Sequence, residues 1–146
     1  MTSITTATVE WALLYGHARF PVLFVRDRDA AEVSARLLID LLRSPRIRAD
    51  FPAARRAFLM GRDRVVLPNV ATASFRFIGS QLRGMIHTLP TGERIRPDLV
   101  VIDEPRSRRD RDDVTKTFDK FARRMAPALG GVKPIAVVRA LSIDRF

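Results

Sequence analysis

Two adjacent carboxylates, Asp103 and Glu104, follow a continuous apolar run, Leu99-Val100-Val101-Ile102, that Pro97 leads in and Pro105 stops. An apolar run of that length without alternation is the pattern of a strand buried on both faces, as inside a parallel sheet. The carboxylates then stand at the strand's carboxyl end, where ligands bind in open α/β sheets. Hydrophobic residues followed by Asp-Glu have the form of a Walker B element. In such an element the Asp helps to hold Mg²⁺ on a nucleotide, and the Glu orients the attacking water. The alternative is a buried strand that runs out into an acidic turn, because short strings of this kind recur by chance.

The elements that would position this pair alternate between helix and strand. Thr6 to Tyr15 reads as a helix with Val9, Ala12 and Leu13 on one side and Gly16 as its C′ residue. Phe20 to Val25 follows as a strand, with Pro21 near its start. Asp29 and Glu32 read as a capping pair for an amphipathic helix through Val33, Leu37, Leu38, Leu41 and Leu42, ended by Ser44-Pro45. R-A-D-F-P then reads as a loop anchored by Phe51.

Arg64 to Leu67 and Thr72 to Ile78 are β-rich runs separated by Pro68-Asn69, which predicts a hairpin or paired strands. Gly79 to Gly92 reads as a glycine-containing loop in which Arg83 is a candidate phosphate contact; a plain surface loop is the alternative. The mixed-charge segment S-R-R-D-R-D-D leads to a helix from Val114 to Met125, capped by Asp112 or Asp113. Pro134 to Leu141 is the last strand, ending at Ser142. This spacing predicts right-handed crossovers and a mostly parallel sheet, an α/β fold in one domain spanning residues 1–146.

Composition narrows the function classes. The chain has no cysteine and only two histidines, His17 and His87, which excludes disulfide frameworks and Cys zinc sites. No apolar run approaches the length of a membrane span, and the start M-T-S-I-T-T lacks the basic and apolar regions of a secretory signal. The formal charge of +10 and a pI near 11.5 favour a polyanionic partner, nucleic acid first. Against this, 23 of the 26 basic residues are Arg, a bias that a GC-rich genome also produces. Arg106, Arg108 and Arg109, just beyond the carboxylate pair, join Arg83 as candidate phosphate or DNA contacts.

Four strings, A-L-L-Y-G-H-A-R-F-P-V-L-F-V, D-A-A-E-V, G-S-Q-L-R-G-M and R-P-D-L-V-V-I-D-E-P, occur in an order that resembles the ATPase domain of the large terminase subunit of tailed phages. The resemblance covers most of the chain, from about Val9 to Ser142. It implies a three-layer P-loop-NTPase-like fold of the ASCE type, built on a mostly parallel sheet that here lacks its Walker A strand. It implies Asp103 as the magnesium-associated carboxylate, Glu104 as the catalytic Glu and Ser142 as the coupling residue. The cofactors would be Mg²⁺ and ATP. The partners would be double-stranded DNA, the small terminase subunit and the portal, in the cytoplasm of an infected or prophage-carrying bacterium. The sheet order expected from it has Val22–Val25 and Pro134–Arg139 flanking Leu99–Ile102, with Pro134–Arg139 at an edge.

The departure from the pattern is specific. No Gly-rich loop ending in Gly-Lys-Ser/Thr occurs in the 146 residues; Ser3-Ile4-Thr5-Thr6 sits near the expected place but has no Lys. Without that loop the β- and γ-phosphates lose their main cationic contact. The family's nuclease domain has no counterpart either. The expectation is an internal piece of the motor, from a prophage remnant or a gene with a misplaced start, unable to hydrolyse ATP alone. Two other readings stay open, a basic DNA-binding or motor-associating fragment without enzymatic activity, and a fragment of another P-loop helicase-like ATPase.

Overall fold

The computed structural model describes residues 4–77, 80, 85–103 and 137–140. Helix α1 (Ile4–Leu14) buries Thr5, Thr6, Val9, Ala12 and Leu13, positions that recur at helical spacing. It ends as the glycine demands: Gly16 adopts φ 71°, its N–H donates to the Leu13 carbonyl at 3.3 Å, and the His17 N–H donates to the Ala12 carbonyl at 2.9 Å. This pair of bonds is the Schellman arrangement, which satisfies carbonyls that the helix end leaves without partners.

Strand β1 (Pro21–Val25) follows, buried along its whole length, and leads into helix α2 (Arg28–Leu42). The N-cap of α2 is Asp27, whose carboxylate accepts from the Ala30 N–H at 2.8 Å, and not Asp29 with Glu32 as the sequence pattern had it. Glu32 lies instead within ion-pair reach of Arg36 (3.9 Å) and Arg62 (3.6 Å). The buried stripe of α2 is Ala31, Ala35, Leu38, Ile39 and Leu42, while Val33 faces solvent. The helix is rotated towards its alanines because their small side chains let it lie close on the sheet.

Short helix α3 (Pro45–Asp50), capped by Ser44, and a 3₁₀ turn (Pro52–Arg56) replace the expected loop around Phe51. Phe51 does anchor the segment: its ring meets Tyr15 edge-on at 5.2 Å and packs against the core. Three strands come next, β2 (Phe58–Met60), β3 (Arg64–Leu67) and β4 (Ala71–Phe77), with β3 antiparallel to both of the others. The β3–β4 hairpin was legible in the sequence; β2 was not. Its turn has Pro68 second and Asn69 third at φ 63°, with the Val70 N–H donating to the Leu67 carbonyl, the conformation a type II turn requires.

The segment read as a loop contains a small hairpin, β5 (His87–Thr88) and β6 (Arg94–Ile95). Its turn places Pro90 after Leu89 and Gly92 at φ 85°, and the Gly92 N–H donates to the Leu89 carbonyl at 2.8 Å. Strand β7 (Leu99–Asp103) carries the first carboxylate, and β8 (Val137–Ala140) is the last described strand.

The main sheet has the order β2-β3-β4-β1-β7-β8. Pairings β4–β1, β1–β7 and β7–β8 are parallel, and only β3 runs against the rest. The fold is therefore α/β with a mixed, mostly parallel sheet. As expected, β1 and β8 flank β7, and β8 is the outermost strand among the described residues. The helix expected at 114–125 lies outside the described residues.

One face of the sheet, with Leu23, Val25, Val65, Ala73, Phe75 and Val101, packs under α1 and α2. The other face presents Phe20, Val22, Phe24 and Val100 to Met85, Leu89 and Ile95. Truncating a ring such as Phe75, which is fully buried at the sheet centre, would cost about 3–5 kcal/mol through lost transfer energy and the cavity left behind. Among the described residues no helix is long and apolar enough to cross a membrane.

Candidate functional site

At the amino ends of the central strands a carboxylate sets the pairing. Asp98 accepts from the Phe20 N–H through Oδ1 at 2.8 Å and from the Arg19 N–H through Oδ2 at 2.7 Å, while its own N–H donates to the Phe20 carbonyl. Arg19 in turn forks onto Glu93 at 2.7 and 2.9 Å. The hydrogen-bonded guanidinium holds the Glu93 carboxyl below its usual range. These bonds fix where β1 and β7 begin and so where they end. Pro21 pairs with Leu99 and Phe24 with Ile102, which brings Val25 level with Asp103 at the carboxyl edge.

Asp103 closes β7, is partly buried and pairs across β8 with Ala140. The neighbouring strand end contributes Arg26 and Asp27, whose side chains form an ion pair at 3.0 Å, and beyond it the amino end of α2. Asp103 thus occupies the position the sequence assigned to it, on a strand flanked on both sides by parallel neighbours. Glu104, Arg83, Arg106, Arg108, Arg109 and Ser142 lie outside the described residues. Ser142 follows two positions after Ala140 in the sequence.

The described residues do not by themselves make up a complete site for Mg²⁺ and ATP. The carboxylate is in place, but among the described residues no group of three or more His, Cys, Asp or Glu side chains could hold a metal ion. The phosphate-cradling loop is missing from the sequence as well.

A second group of polar side chains escaped the sequence reading. Arg64 and Arg76, on β3 and β4, share the sheet face opposite the long helices, since Arg64 pairs with Ser74, two residues before Arg76. Arg64 lies over the Phe20 ring at 5.8 Å, and His87 of β5 meets the same ring edge-on at 6.4 Å. Burial, opposed in part by Asp63, makes the Arg64 guanidinium easier to deprotonate than usual. Burial, reinforced by the charge of Arg64, lowers the His87 pKa and favours neutral imidazole. The available signal was the alternation Thr72, Ser74, Arg76 between apolar residues, which marks a polar face of β4.

Basic side chains also gather around α3 and the 3₁₀ turn. Arg43, Arg46, Arg48, Arg55 and Arg56 are exposed, and among the described residues none is ion-paired with a carboxylate. The exposed rings of Trp11, on α1, and Tyr15, just past its end, lie near this segment, with His17 stacked on Trp11 at 4.2 Å and Tyr15 touching Phe51.

In comparisons with known proteins, no family model matches the chain, and neither a curated protein nor a solved structure matches it.

Proposed function

We propose that this chain is part of the ATPase domain of a terminase-type DNA-packaging motor, with a P-loop-NTPase-like sheet, Asp103 as the magnesium-associated carboxylate and Glu104 as the water-positioning base. The observation that carries the reading is the setting of Asp103. It closes a five-residue strand whose other four residues are apolar, in the interior of the sheet between parallel β1 and β8, at the edge where α/β proteins bind ligands. A buried strand that merely turned acidic would satisfy half of this pattern. The ordered strings quoted above supply the other half.

In this reading Ser142 follows the strand next to Asp103 and is suited to couple nucleotide state to movement. The absence of a Gly-Lys-Ser/Thr loop within these residues makes the chain by itself incompetent for hydrolysis, because positioning and charge neutralisation of the phosphates do most of the work in phosphoryl transfer. The test is to translate the DNA upstream of Met1 in frame and assay the extended protein. Gly-Lys-Ser/Thr followed by DNA-dependent hydrolysis is expected, and an upstream frame without that motif counts against the reading.

A second reading, a basic DNA-binding or motor-associating fragment that hydrolyses nothing, is favoured by the five exposed arginines around α3, none ion-paired among the described residues. The two part company at Glu104, which the second leaves without a role.

A further inference from the structure

Two large rings at the end of α1 stay in solvent, Trp11 at 52% exposure and Tyr15, one residue past the helix, at 62%. Other rings hold them in place. His17 stacks on Trp11 at 4.2 Å, the Trp11 and Tyr15 centroids lie 6.3 Å apart, and Phe51 meets Tyr15 edge-on at 5.2 Å.

Phe51 ties these rings to the basic segment. It closes α3, where its N–H donates to the Ile47 carbonyl at 2.8 Å, and Arg48 belongs to that same last turn. Arg55, on the 3₁₀ turn that begins after Phe51, folds back so that its Nε donates to the Arg48 carbonyl at 2.8 Å. The Arg55 guanidinium therefore lies within about one helical turn of the residue that touches Tyr15. From Arg43 to Arg56 there are five arginines and one carboxylate, Asp50, and among the described residues none of the five is ion-paired.

Uncovered rings beside exposed guanidiniums suit a ligand in which flat apolar faces alternate with negative charge. A nucleic acid strand is such a ligand. Duplex DNA keeps its base faces stacked inside, so rings on a protein surface do not reach them; a single strand offers base faces and phosphates together. A lipid surface would also attract cations and rings, but insertion needs a helix with a free apolar face, and α1 spends its own on the core through Val9, Ala12 and Leu13.

We propose that Trp11, Tyr15, Arg48 and Arg55 form a binding surface for single-stranded nucleic acid, with bases stacked on the two rings and phosphates held by the two guanidiniums. The contacts of His17 with Trp11 and of Phe51 with Tyr15 restrict the rings before the strand arrives, which lowers the ordering cost of binding. The surface is separate from Asp103 and its hydrolysis chemistry. It deepens the DNA-binding reading by fixing the form of the strand, and equal binding to duplex and single strand would defeat it while leaving that reading intact.

The chain has one tryptophan, so Trp11 is its own reporter. The experiment titrates the full chain with an oligothymidylate of about 12 nucleotides and follows Trp11 emission, with the matched duplex, inorganic polyphosphate and phosphatidylserine-containing vesicles as the other arms. Expected are saturable quenching by the single strand, an affinity about fivefold or more above that for the duplex, and no quenching by polyphosphate. Measured by anisotropy of a labelled strand, Trp11→Ala and Tyr15→Leu each weaken binding by about fivefold or more, whereas Tyr15→Phe keeps it. Arg48→Gln combined with Arg55→Gln lowers both the affinity and its salt dependence. All four side chains are exposed, so each variant keeps the urea midpoint of the wild type. Equal affinity for duplex and single strand overturns the proposal, as does single-strand affinity unchanged in folded Trp11→Ala and Tyr15→Leu proteins. Blue-shifted Trp11 emission with vesicles, without quenching by the strand, overturns it in favour of a lipid surface.

Discussion

The Asp98 carboxylate receives the Phe20 N–H at 2.8 Å, and this bond, with its twin from Arg19, sets the register of the two central strands. Asp98→Ala leaves both N–H groups without their acceptor in a part-buried position and is expected to destabilise the fold by about 2–4 kcal/mol. Asp98→Asn costs nearly as much, because one of its two positions becomes a donor facing a donor. Urea unfolding of the three proteins measures this. A loss below about 0.5 kcal/mol for Asp98→Ala would remove Asp98 from the pairing role.

His87 makes stability depend on pH in a definite direction. Its folded-state pKa is depressed by burial and by Arg64, so the contribution of neutral His87 is fully present above the unfolded value of about 6.5 and is lost as pH falls through the folded value. The charge of Arg64 adds to burial in opposing the imidazolium form. In buffers free of oxyanions, the urea midpoint should fall between pH 7.5 and pH 5, and His87→Gln should flatten that fall. A slope that persists in His87→Gln assigns the dependence to other groups.

How much of this was readable beforehand follows from where the physical signal is local. The apolar run Leu99 to Ile102, the helix stop at Gly16 and the turn at Pro68-Asn69 each announce themselves within a few residues, and each is where the sequence put it. Strand β2 has only Leu59 packed against the core, so neither periodicity nor hydropathy marked it. The hairpin of β5 and β6 is two residues deep on each side and depends on its turn and on packing against Phe20 and Val100. Asp27 and Asp29 are equally plausible caps on paper, and only the position of the strand end before them decides. Asp103 was legible because its strand is continuous. The meeting of Arg64 and His87 on the Phe20 ring was not, because separate strands bring them together.

DNA binding by this chain should be independent of sequence and governed by counterion release. Affinity is expected to fall by about tenfold or more between roughly 50 and 200 mM salt. Replacing Arg46, Arg48 and Arg56 together by Gln should weaken it further and reduce the salt slope, with little effect on stability because all three are exposed and make no ion pair among the described residues. Fluorescence anisotropy with a labelled duplex at several salt concentrations reads both quantities. Binding indifferent to salt, or absent at low salt, contradicts the expectation.

The isolated chain should not hydrolyse ATP, since no Gly-Lys-Ser/Thr loop within it cradles the phosphates. A phosphate-release assay with Mg²⁺ and duplex DNA should stay at background for residues 1–146. Turnover abolished by Asp103→Asn would show instead that the short chain is sufficient.

The most direct measurement of the central claim is hydrolysis by the chain extended with its upstream in-frame residues, wild type against Glu104→Gln. The account predicts a Gly-Lys-Ser/Thr loop in the extension and DNA-stimulated hydrolysis by the wild type. In Glu104→Gln, turnover falls to background while ATP still binds. A Glu104→Gln protein that turns over ATP like the wild type would contradict it, as would an extended chain that neither binds nor hydrolyses ATP.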